Sequence, residues 1–141
     1  MADDRRLEEL TVTESLGLLG SVPVGRVVFT HRALPAIRPV NHLVAADRII
    51  FRANLGTAIA TEAGDEHGTV VAFEADQIDA DNRAGWSVVV VGRACRVTCG
   101  AEIDRYKQAL RPWAPGPMDD IIAIRADLVT GVRLAPGEPP A

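Results

Sequence analysis

The segments Pro35-Ala-Ile-Arg-Pro-Val-Asn-His42 and Ile49-Ile-Phe-Arg-Ala-Asn-Leu-Gly-Thr57 flank a turn at Ala46-Asp47. Each segment reads as a β-strand, and the polar turn predicts that the two strands form a hairpin. The second segment ends in Asn-Leu-Gly-Thr and leads into a short helical stretch. The hairpin is therefore expected to bring the guanidinium groups of Arg38 and Arg52 close to a helix N-terminus, an arrangement that suits a phosphate group.

Further strands are predicted on both sides of this hairpin. Apolar residues make up 48% of the chain and aromatic residues only 4%, so the core must consist mainly of Val, Ile, Leu and Ala. Runs of β-branched residues favour strands. Strands are expected over residues 25–30, 36–44, 48–53, 69–75, 86–97 and 121–124, with 129–134 as a seventh strand or a continuation of the sixth.

Three short helices and one polar loop complete the expected element order. Thr11 and Glu14 form a capping box, which predicts a helix that ends near Gly20. The other helices are expected over residues 57–63 and 101–110, and residues 76–85 are expected to form a loop. Consecutive antiparallel strands with few helices indicate a mainly β, α+β fold, either a barrel or a sandwich, and no βαβ repeat is present.

Length and charge limit the classes of protein. A chain of 141 residues is enough for one domain, which we place over residues 1–141 with residues 1–10 and 135–141 frayed. The net charge of −4 argues against nucleic acid and anionic membranes as partners. The sequence shows no signal peptide and no apolar run of membrane-spanning length, so a cytoplasmic protein is expected. Cys95 and Cys99 lie about 13 Å apart on a strand, too far for a disulfide.

The segments quoted above resemble those of the pyridoxamine 5′-phosphate oxidase-like proteins, also called the FMN-binding split β-barrel family. Residues 51–57 are similar to the segment that binds the flavin phosphate, and residues 38–40 to the strand beneath the flavin ring. Residues 85–94 are similar to the long strand whose start approaches the flavin. Residues 112–115 and 127–133 are similar to a small actinobacterial-type branch of the family.

The resemblance implies an antiparallel split β-barrel of six or seven strands with a few short helices. It also implies a homodimer with cofactor sites at the subunit interface, FMN as the cofactor, and a small-molecule substrate. Relatives use a deazaflavin coenzyme or bind haem instead. The residues expected to bind the cofactor are Arg38, Pro39, Val40, Asn41, Phe51, Arg52, Ala53, Thr57, Ala58, Trp86 and Ser87.

The chain departs from the family pattern in two places. Many relatives have a Lys or Arg where Ala58 and Ile59 stand, and loss of such a cation is expected to weaken phosphate binding by about ten- to a hundredfold. The C-terminal segment that binds substrate phosphate in the oxidases is also missing. These departures argue against vitamin-B6 oxidase activity. The favoured function is flavin-dependent redox chemistry on a small apolar or electrophilic molecule. The alternatives are a deazaflavin-dependent reductase, a non-catalytic binder of flavin, deazaflavin or haem, and a dimer without cofactor.

Several site residues have a second interpretation that the sequence leaves open. Arg38 could form an ion pair with Glu74 or Asp76. Trp86 could pack in a subunit interface, and Arg52 could lie at a solvated edge of the sheet. The three His residues show no spacing that favours a metal site, and the catalytic residues stay unknown. Two further residues are weaker candidates, His42 as a general acid and Trp113 as part of the pocket rim.

Overall fold

The computed structural model describes residues 6–53, 58–63, 67–111 and 120–135. Within these ranges the chain forms eight strands and three helices, so the fold is mainly β. None of the helices in this part of the chain is long and apolar enough to cross a membrane. The elements are β1 (Arg6–Leu10), α1 (Val12–Gly20), β2 (Val24–His31), β3 (Leu34–Ala45), β4 (Arg48–Ala53), α2 (Ala58–Glu62), β5 (Thr69–Asp79), β6 (Ala84–Arg96), α3 (Gly100–Ala109), β7 (Asp120–Arg125) and β8 (Leu128–Ala135).

The strands form one antiparallel sheet that closes on itself through β6. The order along the sheet is β1-β8-β6-β5-β2-β3-β4-β7, and a further pairing of β6 with β7 closes a barrel of six strands. The last three residues of β6, Ala94–Arg96, pair with β7, whereas Gly85–Val91 pairs with β8 on the same edge. The barrel is therefore split where β7 and β8 diverge, and β8 and β1 extend the sheet beyond it.

Gly92 lies in β6 between the residues that pair with β8 and those that pair with β7. A Cβ atom at this position would stand 1.6 Å from the carbonyl oxygen of Arg125, at the end of β7. The connection between β7 and β8 thus crosses β6 at Gly92, where β6 has no side chain. The sequence predicted a bulge or bend here, and the close approach of backbone explains the glycine instead.

Two apolar cores lie on the two sides of the barrel wall. The main core fills the barrel with side chains such as Phe51 and Phe73, and Ile59 of α2 packs into it. A second core lies between α3 and the outer side of β4 and β7, and it contains Ile50 and Tyr106. Because alternate residues of β4 enter different cores, the burial pattern of this strand is continuous.

The capping box is confirmed: the Thr11 hydroxyl accepts from the Glu14 backbone N–H at 3.1 Å, and the Glu14 carboxylate accepts from the Thr11 N–H at 3.1 Å. The expected loop over residues 76–85 is wrong. Strands β5 and β6 pair as far as Asp79 and Ala84, and the Asp79 carboxylate accepts hydrogen bonds within the turn between them. Cross-strand hydrogen bonds, rather than burial, hold this polar hairpin, so no apolar pattern marks it.

Residues 6–10 were expected to fray, but they form β1, which pairs with β8 along its whole length. The sequence Arg-Leu-Glu-Glu-Leu has neither β-branched residues nor alternation, and β1 exists because a distant strand offers it an edge. Three other predictions lie outside the described residues: the ends of the chain at 1–5 and 136–141, the segment 54–57, and the segment 112–119.

Candidate functional site

One edge of β3 lacks a neighbouring strand over most of its length. All of Leu34–Asn41 pairs with β2, but β4 pairs with β3 only over His42–Ala45. Within the described strands, the other edge of residues 34–41 therefore has no partner. We call it the open edge of β3. It lies beside the quoted hairpin, where the sequence predicted a cofactor.

The polar groups at the open edge follow from the strand geometry. The backbone N–H of His42 donates to the Pro23 carbonyl on the β2 side at 2.9 Å. Backbone groups alternate in direction along a strand, so even-numbered residues face β2 and odd-numbered residues face the open edge. The edge thus presents the carbonyls of residues 35, 37, 39 and 41, but N–H groups only at Ile37 and Asn41, because Pro35 and Pro39 have none.

Arg38 is exposed beside this edge, and its Nη1 donates to the carbonyl oxygen of Ile37 at 2.9 Å. It lies opposite Val27 on the face of β3 that turns into the barrel, together with half-buried Val40. Pro39 lies on the outer face, opposite Arg26. The alternative ion pair of Arg38 with Glu74 or Asp76 is wrong, because Arg26 is the arginine that pairs with both carboxylates.

Arg52 lies on the opposite face of the hairpin from Arg38. Its Nη1 donates to the carbonyl oxygens of Leu110 at 3.0 Å and Lys107 at 3.4 Å, which belong to the end of α3. The amide of Asn41 likewise donates to the carbonyl of Arg111 at 3.0 Å. The expectation that both guanidinium groups converge on one phosphate is therefore not met. Arg52 and Asn41 fasten the C-terminal end of α3 to the sheet.

The other predicted residues of the hairpin are buried or partly buried. Phe51 and Ala53 point into the main core, and Ala58 packs against it at the start of α2. The next residue, Ile59, is buried, so the position where relatives have a cation belongs to the core here. Thr57 lies outside the described residues, and its contact with a phosphate stays a prediction.

Trp86 and Ser87 stand at the start of β6, far along the sheet from Arg38. Trp86 is 8% exposed and belongs to the main core, while Ser87 is half-buried on the outer face beside Asp76. Ser87 lies on the outer face of β6, three strands from β3, whereas Arg38 lies on the face of β3 that turns into the barrel. One chain therefore does not bring Arg38 and Ser87 together.

Trp86 and Ser87 border an apolar pocket of about 190 Å³. Its walls come from four strands, namely Leu7 of β1, Ile78 of β5, the first residues of β6, and Val132 and Leu134 of β8. Sequence reasoning missed this pocket because it missed β1. The sequence signal for this pocket was Leu7, an apolar residue between the charged residues Arg6 and Glu8.

The histidines have structural partners. His42 is buried, its Nε2 donates to the Leu19 carbonyl at 2.8 Å, and its ring meets Phe73 edge-on at 4.9 Å. Burial lowers the pKa of His42, against the smaller opposite effect of the Leu19 hydrogen bond. His31 contacts Glu62 at 3.1 Å. No cluster of three metal-ligating side chains occurs in the described part of the chain. Cys95 and Cys99 are both free thiols.

Two carboxylates and one arginine form a cluster at the middle of the outer face. Arg26 of β2 lies directly opposite Glu74 of β5, and its Nη1 stands 3.1 Å from the Glu74 carboxylate and 3.8 Å from that of Asp76. Burial raises the pKa of Glu74, and the hydrogen bond and charge of Asp76 raise it further, against the effect of Arg26.

A six-stranded antiparallel barrel with an open strand edge defines the split-barrel class. The family model described as pyridoxamine 5′-phosphate oxidase matches residues 11–138. A Mycobacterium tuberculosis protein, Rv0080, is 47% identical over 132 residues, which cover 92% of this chain and 87% of that protein. The chain belongs to the pyridoxamine 5′-phosphate oxidase family.

Solved structures agree with this assignment. The FAD binding protein from Mycobacterium smegmatis is 30% identical, with a TM-score of 0.70 over 91% of this chain and 98% of that one. The FAD and heme binding protein from the same organism has a TM-score of 0.69 over 99% of this chain and 77% of that one. Its identity of 13% supports the shared fold alone.

Proposed function

We propose that the protein binds a flavin at the open edge of β3 and uses it for redox chemistry on a small apolar or electrophilic molecule. The observation that carries the proposal is the open edge itself, where carbonyls alternate with N–H groups at Ile37 and Asn41. The edge of a flavin ring has both hydrogen-bond donors and acceptors, so it can satisfy backbone groups that none of the described strands satisfies. The name of the 30% identical relative, an FAD binding protein, supports the same class of cofactor.

The residues around this edge fit a phosphorylated cofactor. Arg38 is exposed, and the carbonyl that its guanidinium contacts occupies only one of its donors. Half-buried Val40 offers apolar surface on the same face of the hairpin as Arg38. When bound, a flavin supplies hydride transfer, and the protein supplies binding, orientation and exclusion of water. Solvent can provide the proton, so this chemistry requires no dedicated acid.

The identity of the flavin is open to direct test. FMN is the cofactor we favour from the sequence, whereas FAD stands in the relative's name. Fluorescence titration with FMN, FAD and the deazaflavin coenzyme distinguishes them, and an absorbance spectrum detects flavin or haem that purifies with the protein. Consumption of a reduced nicotinamide with an artificial acceptor separates an enzyme from a carrier, which should be inert.

Arg38→Gln tests the site. Loss of a charge-assisted hydrogen bond is expected to raise the flavin Kd by about ten- to a hundredfold. Arg105→Gln is the matched control, because Arg105 is exposed on α3 and lies away from β3. The proposal for Arg38 fails if both variants bind flavin as tightly as the parent protein.

We further propose that the protein acts as a homodimer through the outer face of strands β3, β2, β5, β6, β8 and β1. Among the described residues, eight large apolar side chains are exposed, and the register places six of them on this face. Exposed apolar side chains that gather on one face favour an interaction site there. The six are Leu7, Ile37, Val70, Ile78, Val89 and Leu128.

A dimer would also resolve the separation of the predicted site residues. Arg38 and Ser87 lie on opposite faces of the sheet in one chain, whereas two chains could each contribute one of them to a shared site. Sedimentation equilibrium measures the oligomeric state. A monomer at all concentrations tested would overturn the dimer but not flavin binding at β3.

A further inference from the structure

The cluster of Arg26, Glu74 and Asp76 lies at the middle of the face through which we propose dimerisation. One strand, β2, separates β5 from β3, and two strands, β6 and β8, separate β5 from β1. The side chains are 48% exposed for Arg26, 24% for Glu74 and 34% for Asp76. A second copy that covered this face would remove the remaining water from all three.

The cluster has one positive charge for two carboxylates. On β6, the residues opposite Glu74 and Asp76 are Val89 and Ser87, which carry no charge. On the outer face of β1, β2, β3, β5, β6 and β8, the other charged side chains are Arg93, beside Val70, and Glu9, beside Val132. On β3 this face has only uncharged residues. Among the described residues of these six strands, no further cation therefore lies directly opposite the second carboxylate.

We propose that formation of the dimer takes up a proton at the Glu74–Asp76 pair, so that the dimer tightens as the pH falls. This inference rests on the proposed dimer. An unbalanced carboxylate is costly to bury, and a proton shared by the pair removes that cost. The raised pKa of Glu74 in the single chain points in the same direction, since part of the effect is already present before assembly.

The sign and size of the effect follow from linkage. The dimer binds more protons than two separate chains, so its Kd decreases as pH decreases. One proton for each chain gives a limit of about a hundredfold change in Kd per pH unit. Over pH 7.5 to 5.5 we expect the dimer to become at least about tenfold tighter, because uptake is partial at each pH.

Sedimentation equilibrium at pH 7.5, 6.5 and 5.5 tests the proposal with the parent protein and three variants. The Glu74→Gln variant resembles the protonated pair, and it should dimerise tightly at pH 7.5 with little dependence on pH. Asp104→Asn is the control, because it changes the net charge equally on the exposed side of α3 and should keep the parent's pH dependence. Asp76→Asn should repeat the result of Glu74→Gln, and it replaces that variant if Glu74→Gln does not fold.

The outcomes separate this inference from the proposed dimer. A parent dimer that tightens at low pH, with the dependence lost in Glu74→Gln and kept in Asp104→Asn, supports proton uptake at the pair. A dimer whose Kd is constant over the range, or whose pH dependence survives both Glu74→Gln and Asp76→Asn, overturns it and leaves the dimer intact. A protein that is monomeric at every pH overturns both.

Discussion

Replacement of Gly92 by Ala should lower the free energy of unfolding, because the crossing of the β7–β8 connection leaves no room for a side chain. The new Cβ would lie 1.6 Å from the Arg125 carbonyl oxygen and 3.3 Å from the Asp127 backbone nitrogen. The nearest atom belongs to backbone, so no change of side-chain rotamer relieves the overlap. One strand must move by more than an ångström, and the pairing of β6 with β7 and β8 lies directly on either side.

The expected loss is about 3 kcal/mol, at the upper end of the range for overpacked sites. The gain from replacing a glycine within a strand, about 0.5–1 kcal/mol, offsets part of it. A net destabilisation of about 2–2.5 kcal/mol is a large fraction of the roughly 5–15 kcal/mol that is typical of a domain. Urea denaturation followed by circular dichroism measures it, provided that the slope of the transition stays unchanged.

Gly17→Ala is the matched control. Gly17 is exposed within α1, and a Cβ there meets no atom within 4 Å. The same chemical change should therefore raise the free energy of unfolding by about 0.5–1 kcal/mol. If Gly92→Ala unfolds within about 0.5 kcal/mol of the parent, the close crossing of the strands is refuted.

Four further changes test other parts of the structure. Lowering the pH should destabilise the protein, because the pKa of His42 is lower in the folded than in the unfolded state. The stability that neutral His42 contributes is present above its unfolded pKa and is lost as the pH falls through its folded pKa. In thermal unfolding from pH 8 to 5, the melting temperature should therefore decline less in His42→Leu than in the parent. Ala46→Gly should raise the free energy of unfolding by about 1 kcal/mol in a denaturant titration, because Ala46 has a φ of 56°. Arg52→Gln should lower the free energy of unfolding by about 1.5–3 kcal/mol through loss of the α3 contacts. If this variant unfolds like the parent but binds flavin more weakly, Arg52 binds the cofactor after all. Val89→Glu should convert the dimer to monomer in sedimentation experiments, while Val12→Glu, exposed elsewhere, should not.

The local elements were predictable because local signals specify them. Strand β4 has the predicted bounds, and the Thr11 capping box forms as expected, since turn and cap residues act within a few positions of the chain. The family could also be recognised from motifs in order along the chain. Pairing between distant segments was not predictable. Strand β1 forms because it pairs with the edge of β8, and no pattern within Arg6–Leu10 indicates this pairing.

The strands that carry Arg38 and Arg52 were predictable from the sequence, but the directions of the two side chains were not. Arg38 and Arg52 belong to neighbouring strands, and proximity along the chain suggested that they act together. Whether they share a face depends on the register of the hairpin, which pairs His42 with Phe51 and so directs the two arginines to opposite sides. A shift of one residue would have reversed this result. The partner of Glu74 depended in the same way on the pairing of β2 with β5.

The two prolines at the open edge of β3 have a consequence for solubility. A strand with free backbone groups on one side is a template for aggregation, because a strand from another molecule can add to it. Added strands need a donor at every second residue, and Pro35 and Pro39 remove two of the four donors that this edge would otherwise have. An added strand would lack hydrogen bonds at both prolines, whereas a small ligand needs only one or two backbone groups to bind. The edge can thus stay open in water without recruiting further chains into fibres.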